Sequence, residues 1–371
     1  MLPQPCISAP GEAGLGAGFF QSPVYVRTWR RYLSGEPGTD RAAASLSDLP
    51  PTCLPLVEVR ERIAGLERRI WSCAGWDAAW YPYSFLPANR EGAVCYLEYL
   101  QKHRSEWDAV VTCGPSDALD VLTVRAQDQS FDVIGRRDET LPFVSLPGGW
   151  EAYWGTRSPN LRKNLRSLAN RASREGLVCR SVTAESDVEA LLARLFDLHQ
   201  IRWADRGQQS RYRPGTRRRS FLEALVASLE SEGEVWLPHL MAGASVVAVA
   251  LCFLDGPRTL YYLPTFDPAW SDLSPGKLLL HEVIRSSAER GGTEVDLGPG
   301  RDVYKTWWAT GERRHGRMLL SKGDPAVWCR YAAEPALRRA GVKAARVVLR
   351  HNAIHRHLPT RLRGFADRGI S

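Results

Sequence analysis

Segments with apolar residues at helical spacing alternate along the chain with short apolar runs. This pattern predicts helices interleaved with strands. Residues 187–206 place Leu191, Leu195 and Phe196 at helical intervals, which predicts an amphipathic helix. Short apolar runs bounded by glycine or proline, as at 108–113 and 245–254, predict buried strands. Further helices are expected at 23–33, 93–104, 117–127, 158–175, 220–232 and 275–290, and further strands at 54–59, 131–135, 142–146, 177–182, 235–242, 259–264 and 293–297. The pattern is typical of an α/β or α+β fold in which helices cover a sheet.

Chain length and turn residues predict the domain organisation. The 371 residues exceed the usual size of a single domain. The triplet Pro147-Gly148-Gly149 interrupts the periodic pattern between two such runs of helices and strands. We therefore predict an N-terminal unit over residues 1–149, a second unit over 150–329 and a helical tail over 330–371.

The formal net charge of +8 is concentrated in the tail. Residues 330–371 contain ten basic and two acidic side chains, so this segment carries the whole excess. Such a segment suits the phosphates of tRNA, the headgroups of an anionic membrane or an acyl carrier protein, and a solvated basic helix packed on the body is the alternative. Residues 208–219 add five arginines and are either a mobile lid over a substrate or an ordinary surface loop.

The remaining composition bears on location and on metals. The eight cysteines include no CxxC pair and none has the short spacing to histidine of zinc sites, so we predict no metal. The N-terminus has neither the basic start nor the apolar run of a signal peptide. Pro238 and Gly243 interrupt the longest uncharged stretch, 237–254, which is better explained by two strands than by a membrane helix. These features predict a cytoplasmic protein.

Candidate chemistry begins where the predicted strand 259–264 ends, near Leu263. A helix follows whose start reads Ser274-Pro275-Gly276-Lys277, and then another strand. The N–H groups and dipole at a helix start favour an anion. Ser274 as N-cap, Gly276 for close backbone approach and Lys277 as a counter-charge suit a diphosphate, whereas an ordinary capped helix is the alternative.

Further candidates flank this unit. Asp296 comes late in its strand and could orient an acceptor amine or cap a turn. Lys305 could neutralise a phosphate or polarise a carbonyl, and Tyr304 could protonate a leaving thiolate. The alternative is a helix with its tyrosine in the core and its lysine on the surface. No G-x-S-x-G or Walker pattern occurs, which does not favour a covalent enzyme.

Three more residues are expected to contact the acceptor substrate. They are Trp203 and Arg206, at the end of the helix predicted at 187–206, and Tyr262, in the strand that precedes the predicted phosphate loop. Leu263 is expected on the donor side.

Seven segments, in their order along the chain, resemble one family. They are PFVSLP, NLRKNLRSL, FDLHQIRWADRG, YYLPTFDPAW, LSPGKLLL, EVDLGPG and YKTWWA. Their order is similar to that in the cellulose-biosynthesis-type acetyltransferase-like branch of the GNAT superfamily, which is related to the Fem-type peptidoglycan aminoacyltransferases. The resemblance covers 142–323 well and 20–141 loosely, and SDLSPGK lacks the usual glycine pair of the GNAT phosphate loop.

The resemblance implies a fold and an activity. The fold would consist of tandem GNAT-like halves, each a mixed, largely antiparallel sheet flanked by helices, with Tyr304 and Lys305 at the start of a short helix beside the donor and Trp308 packing inward. The activity would be transfer of an acyl group from acetyl-CoA or another acyl-CoA to an amine or hydroxyl of a small metabolite or an envelope or polysaccharide precursor. A bound amine attacks a thioester directly, so positioning carries much of the rate. Aminoacyl transfer from charged tRNA and a non-catalytic scaffold in polysaccharide synthesis stay open as alternatives.

Deletion of residues 330–371 tests whether the tail belongs to the donor site. We expect a folded protein with some loss of stability and an unchanged affinity for acyl-CoA in isothermal titration, because 150–323 contains the predicted elements of a GNAT half. If charged tRNA is the donor, the deletion should instead abolish tRNA binding together with most of its salt dependence. A soluble truncated protein that no longer binds acyl-CoA would contradict the predicted boundary.

Overall fold

The computed structural model describes residues 19–33, 56–63, 65–73, 90–180, 188–300 and 302–329. The tail predicted at 330–371 lies outside these residues. The helices are α1 (Pro23–Tyr32), α2 (Arg90–Lys102), α3 (Ser116–Asp128), α4 (Gly149–Thr156), α5 (Pro159–Arg174), α6 (Val188–Asp205), α7 (Arg217–Glu230), α8 (Pro275–Glu289), α9 (Val303–Trp308) and α10 (Pro325–Trp328). The strands are β1 (Leu56–Ile63), β2 (Leu66–Cys73), β3 (Ala109–Pro115), β4 (Asp132–Ser145), β5 (Leu177–Arg180), β6 (Val235–Trp236), β7 (His239–Ala242), β8 (Ser245–Asp255), β9 (Arg258–Phe266), β10 (Glu294–Asp296) and β11 (Gly311–Ser321).

The described strands form one sheet in the order β1-β2-β3-β11-β4-β10-β9-β8-β7-β5, and β6 pairs with β8 outside this path. The β2–β3 and β9–β10 pairs are parallel, and the other pairs in the described part of the chain are antiparallel. This architecture confirms the predicted mixed α/β class with a largely antiparallel sheet flanked by helices.

Strand β11 joins the two predicted units within this sheet. It follows the second unit's helices along the chain, yet it lies between β3 and β4, which belong to residues 1–149. β4 in turn pairs with β10 on its other edge. The two predicted units therefore share one sheet. The domain boundary near residue 149 stays a prediction.

Strand β8 shows how helices cover both faces of the sheet. Val249, Leu251 and Phe253 pack in the apolar cluster that includes α1, α6 and α7. Ala250 and Cys252 pack in the cluster that includes α5 and α8. Because successive side chains of a strand point to opposite faces, β8 is buried on both sides, which explains its nearly continuous apolar sequence.

Several predicted boundaries differ from the structure, and three of the differences change an element. The strands expected at 131–135 and 142–146 form the single strand β4, because β11 pairs with β4 through the polar residues between them. The strand expected at 235–242 divides at Pro238 into β6 and β7. Helix α7 begins at Arg217 rather than Ser220, where the Thr216 hydroxyl accepts a hydrogen bond from the Arg219 N–H. Three of the five arginines expected in a loop therefore lie in α7.

None of the helices in the described part of the chain combines the length and apolar character needed to cross a bilayer.

Glycine at position 316 permits the close pairing of β11 with β4. A Cβ at this position would lie 2.5 Å from Asp138 Oδ1 and 3.1 Å from the carbonyl oxygen of Arg137. We therefore expect Gly316→Ala to lower the free energy of unfolding by about 1–3 kcal/mol in urea titrations. Gly135→Ala in β4 is the control, because a Cβ there would have no described heavy atom within 4 Å. Equal losses for both variants would contradict this account.

Candidate functional site

The candidate site lies where β9 and β10 separate. The two strands pair in parallel from Arg258 opposite Glu294 to Leu260 opposite Asp296. Beyond this point β9 stays paired with β8 through Phe266. The chain after β10 instead stays attached to β4, because the Leu297 and Gly300 N–H groups donate to the carbonyl oxygens of Pro142 and Thr140, each at 3.0 Å. The two walls are thus held apart by hydrogen bonds to different neighbouring strands.

A cleft of about 250 Å³ opens at this separation. β9 supplies one wall, and the segment after β10 supplies the other together with α9. The lining residues are Tyr261, Tyr262, Pro264, Leu297, Gly298, Pro299, Tyr304 and Lys305.

Lys305 is buried at the base of the second wall, with 5% of its surface exposed. Its Nζ donates to the carbonyl oxygens of Pro299 at 2.8 Å and Gly298 at 3.3 Å, and it lies 3.3 Å from Asp302 Oδ2. Burial lowers the pKa of Lys305, whereas the charges of Asp302 and Asp296 oppose that change. The alternative in which this lysine lies on the surface is therefore wrong.

Asp296 ends β10 and is fully buried. Its Oδ1 accepts a hydrogen bond of 2.8 Å from the Gly298 N–H. This contact is the turn-capping alternative considered for Asp296. The carboxylate also favours the charged form of Lys305, so it stabilises the base of the cleft electrostatically as well.

Tyr304 lies on α9 and faces the cleft. Burial, and to a smaller extent the Asp302 carboxylate, raise its pKa to about 12, and Arg202 opposes the increase. The hydroxyl therefore remains protonated throughout the neutral range, in the form that donates a hydrogen bond.

The start of α8, with Ser274, Gly276 and Lys277, lies outside the cleft lining and differs from the predicted cap. Ser274 occupies the N-cap position, but its side chain makes no capping hydrogen bond. The same residue closes the 3-10 helix Pro268–Leu273 and takes a left-handed backbone conformation with φ of 44° and ψ of 53°. The N–H of Gly276 has no acceptor among the described residues. The helix start therefore offers a backbone donor that no serine side chain covers.

Lys277 and Phe266 border this helix start. The Lys277 ammonium lies 4.9 Å from the centroid of the Trp307 ring, a cation–π contact. A Cβ at Gly276 would lie 3.5 Å from the nearest Phe266 ring atom, which is ordinary contact.

Of the three residues predicted to contact the acceptor substrate, one lines the cleft. Tyr262 lines the cleft. Trp203 instead stacks on His199, with ring centroids 5.5 Å apart, and Arg206 is exposed at the end of α6. The Leu263 side chain packs against the apolar cluster that includes α6 and α7. The structure thus brings Tyr262, Tyr304 and Lys305 to one cleft and places Trp203, Arg206 and Leu263 outside its lining.

Arg202 was missed in the sequence. Its guanidinium carbon lies 4.2 Å from the centroid of the Phe266 ring, and it is close enough to Tyr261 and Tyr304 for both to affect its pKa. The available signal was its helical phase, since Arg202 follows Leu195 and His199 at intervals of seven and three residues on the buried face of α6. A charged residue on an apolar face was the anomaly.

Arg157 and Tyr153 hold α9 in place and were also missed. The Arg157 guanidinium donates to the carbonyl oxygens of Trp308 and Ala309, both at 3.1 Å. The Tyr153 hydroxyl donates to the Trp308 carbonyl oxygen at 2.8 Å. These bonds satisfy carbonyl groups at the end of a helix and fix α9 against the C-terminal part of α4 and the residue that follows it.

Residues 159–306 match the family model of the acetyltransferase (GNAT) domain, and this range includes every residue that lines the cleft. Among solved structures, FemX is similar with a TM-score of 0.52 and 11% identity, covering 81% of this chain and 91% of that chain. A conserved protein of unknown function from Bacteroides thetaiotaomicron is similar with a TM-score of 0.50 and 9% identity, covering 83% and 95%. A search of curated protein sequences finds no match. Residues 159–306 thus match the GNAT acetyltransferase domain, and the aligned part of the chain shares its fold with FemX.

Replacing Lys305 by methionine tests whether it acts in catalysis as well as in folding. We expect Lys305→Met to lower the rate of acyl transfer by about 100-fold, because a charge facing the cleft is lost. It should also cost about 1–3 kcal/mol of stability, since two carbonyl groups lose their donor.

Lys322→Met is the matched control. Lys322 is half-buried, donates to the Arg104 carbonyl oxygen at 3.0 Å and lies 3.6 Å from Asp108. Its replacement should lower stability in urea titrations but leave the steady-state rate unchanged. If both variants keep the normal rate, Lys305 has a structural role only.

Proposed function

We propose that this protein is an acyltransferase that moves an acyl group from acetyl-CoA or another acyl-CoA to an amine or hydroxyl of a small metabolite or an envelope or polysaccharide precursor. It would belong with the cellulose-biosynthesis type of GNAT protein. The observation that carries the proposal is the separation of β9 from β10, with the start of α8 adjacent to Phe266 of β9 and Trp307 of α9. The match of 159–306 to the GNAT domain supports it.

Both parts of a CoA thioester fit this arrangement. The diphosphate suits the start of α8, where the Gly276 N–H, the helix dipole and the Lys277 ammonium all favour negative charge. The extended arm of the donor suits the edge of β9 that faces the cleft, because its amide groups can bond to strand backbone as another strand would. The thioester would then lie near Tyr304 and Lys305.

The chemistry would depend on positioning and on stabilising charge. The acceptor amine attacks the thioester carbonyl carbon, the C–S bond breaks, a thiolate leaves and the nitrogen releases one proton to solvent. An ordinary thiol has a pKa of about 8.5. Tyr304, whose pKa is raised to about 12, is too weak an acid to protonate such a thiolate fully. Its role would be to donate a hydrogen bond to the departing sulfur, while the Lys305 charge stabilises negative charge at the base of the cleft.

Aminoacyl transfer from charged tRNA is the second candidate, and helix α5 favours it. Leu165 and Ala172 are buried on one side of this helix, and it contains no acidic residue. None of its basic residues forms a salt bridge within the described chain. These residues are Arg162, Lys163, Arg166, Arg171 and Arg174. A largely exposed basic face suits a phosphate backbone.

Mass spectrometry of the protein purified under native conditions separates the two candidates. Bound CoA or acyl-CoA, together with binding of acetyl-CoA or longer acyl-CoAs in isothermal titration, would support the first. Retention of charged tRNA on filters, falling steeply with salt and lost when Lys163 and Arg166 are replaced by glutamate, would support the second. Absence of binding by every acyl-CoA would exclude the first candidate.

Replacing Gly276 by valine tests the phosphate site. The added methyl groups crowd the backbone where a phosphate must approach, so we expect the dissociation constant of acetyl-CoA to rise by at least about tenfold. The fold should tolerate the change, because a Cβ at Gly276 meets Phe266 at an ordinary contact distance of 3.5 Å. Gly155→Val in α4 is the control, since a Cβ at this helical glycine has no described heavy atom within 4 Å. Normal donor binding by Gly276→Val would place the phosphate site elsewhere.

A further inference from the structure

Arg202 has an unusual environment for a half-buried arginine. Its guanidinium lies over the Phe266 ring, and its Nε is inaccessible to solvent. Among the described residues, no carboxylate, carbonyl or hydroxyl oxygen accepts a hydrogen bond from it. A guanidinium carries five N–H donors and is always charged. The Nε–H is covered by protein, whereas the Nη groups are not among the solvent-inaccessible atoms, so a ligand oxyanion can reach the guanidinium through its Nη groups.

Arg194 and Arg219 are partly buried arginines that have acceptors, whereas Arg162 of α5 shares with Arg202 a buried Nε without an acceptor. Arg194, two turns earlier on α6, donates from Nε to the Val246 carbonyl oxygen at 3.0 Å. Arg219 donates to Glu223 Oε1 at 2.8 Å. The missing acceptor at Arg202 is therefore a local feature of the cleft end of α6 and not a general property of this helix.

The charges around Arg202 also favour an anion. Burial lowers its pKa, and the positive charge of Arg206, one turn further along α6, lowers it as well. The hydroxyl groups of Tyr261 and Tyr304 have the opposite effect on its pKa. Both tyrosines line the cleft, so an anion held by Arg202 would lie at the edge of the cleft.

This position differs from the phosphate site at the start of α8. A Cβ at Gly276 would have two atoms of the Phe266 ring as its only described neighbours within 4 Å, and no atom of Arg202 is among them. The guanidinium instead lies against that ring, 4.2 Å from its centroid. Arg202 and Gly276 therefore both border the Phe266 ring, and no atom of Arg202 lies within 4 Å of the Cβ position of Gly276.

We propose that Arg202, with Arg206 adding positive charge, binds an oxyanion of the acceptor substrate, either a carboxylate or a phosphate. The acceptor of this enzyme is then an anionic molecule, and Arg202 is a specificity-determining residue. The identification of the anion with the acceptor rests on the proposed acyl transfer, whereas the anion site rests on the surroundings of Arg202 alone.

The test uses the arginine Nε–H resonances of the full-length 15N-labelled protein, titrated with inorganic phosphate and, separately, with acetate. Arg202→Gln identifies the resonance, and Arg194→Gln is the control for loss of a half-buried arginine from the same helix. We expect at least one of the two anions to shift the Arg202 resonance. Binding by the variants is followed through backbone amide resonances, because Arg202→Gln lacks the Arg202 side-chain resonance. Arg202→Gln should weaken binding of that anion by about ten- to hundredfold, since a charge-assisted pair is lost. Arg202→Lys should fall between the two, because a lysine keeps the charge but not the forked geometry.

Isothermal titration with acetyl-CoA assigns the anion to acceptor or donor. Arg202→Gln should leave the affinity for acetyl-CoA within about twofold of the parent, because the donor phosphates lie at the start of α8. A resonance that responds to neither anion would overturn the proposal. An equal loss of acetyl-CoA and anion binding would also overturn it, by placing Arg202 on the donor phosphates. If the parent protein binds no acyl-CoA while the anion response persists, the anion site stands and the proposed function fails.

Discussion

The hydrogen bonds from residues 297–300 to β4 determine the shape of the candidate site. β10 contains three residues and pairs with β4 on one edge and β9 on the other. After Asp296 the chain could follow either neighbour, and it follows β4, through the N–H groups of Leu297 and Gly300. β9 meanwhile remains paired with β8. The cleft is the gap between two backbones whose hydrogen bonds are satisfied in opposite directions, so it persists without a ligand to hold it open.

Lys305 stabilises the segment that follows β10 and diverges from β9. A buried ammonium is costly unless acceptors and an opposite charge surround it, and here the carbonyl oxygens of Gly298 and Pro299 and the Asp302 carboxylate do so. One side chain therefore fixes the wall of the cleft and places positive charge at its base. The structural and catalytic roles of Lys305 are coupled for this reason, and only a comparison with a lysine such as Lys322, which is also partly buried, separates them.

The elements around the site were predictable where the sequence marks their ends. Pro275 and Gly291 bracket α8, and β9 before it contains an apolar run, so local patterns sufficed there. β11 could not be predicted in this way, because GERRHGRMLLS is largely charged and its strand conformation results from pairing with β3 and β4. Those partners lie about 200 residues away in the chain, and no local period reports such pairing.

The site residues show the same limit at the scale of single side chains. Tyr304 and Lys305 were expected beside the donor from a family resemblance, and both line the cleft. On α6 the expected contact was Trp203, whereas Arg202 is the residue against Phe266. One residue along a helix rotates a side chain by about 100°, which is enough to move it from one wall to another. The cap at Ser274 failed for a different reason, since the preceding 3-10 helix imposes its backbone conformation.

The cleft depends on a strand that lies outside the range matched by the GNAT family model. The family match covers 159–306 and includes both walls of the cleft, but β4 lies outside it. β4 supplies the hydrogen bonds that draw residues 297–300 away from β9, and β11 occupies the other edge of β4. The matched segment on its own would leave β10 with one neighbour instead of two. The N-terminal segment is therefore part of the scaffold that shapes the cleft, and the site depends on strands from both predicted units.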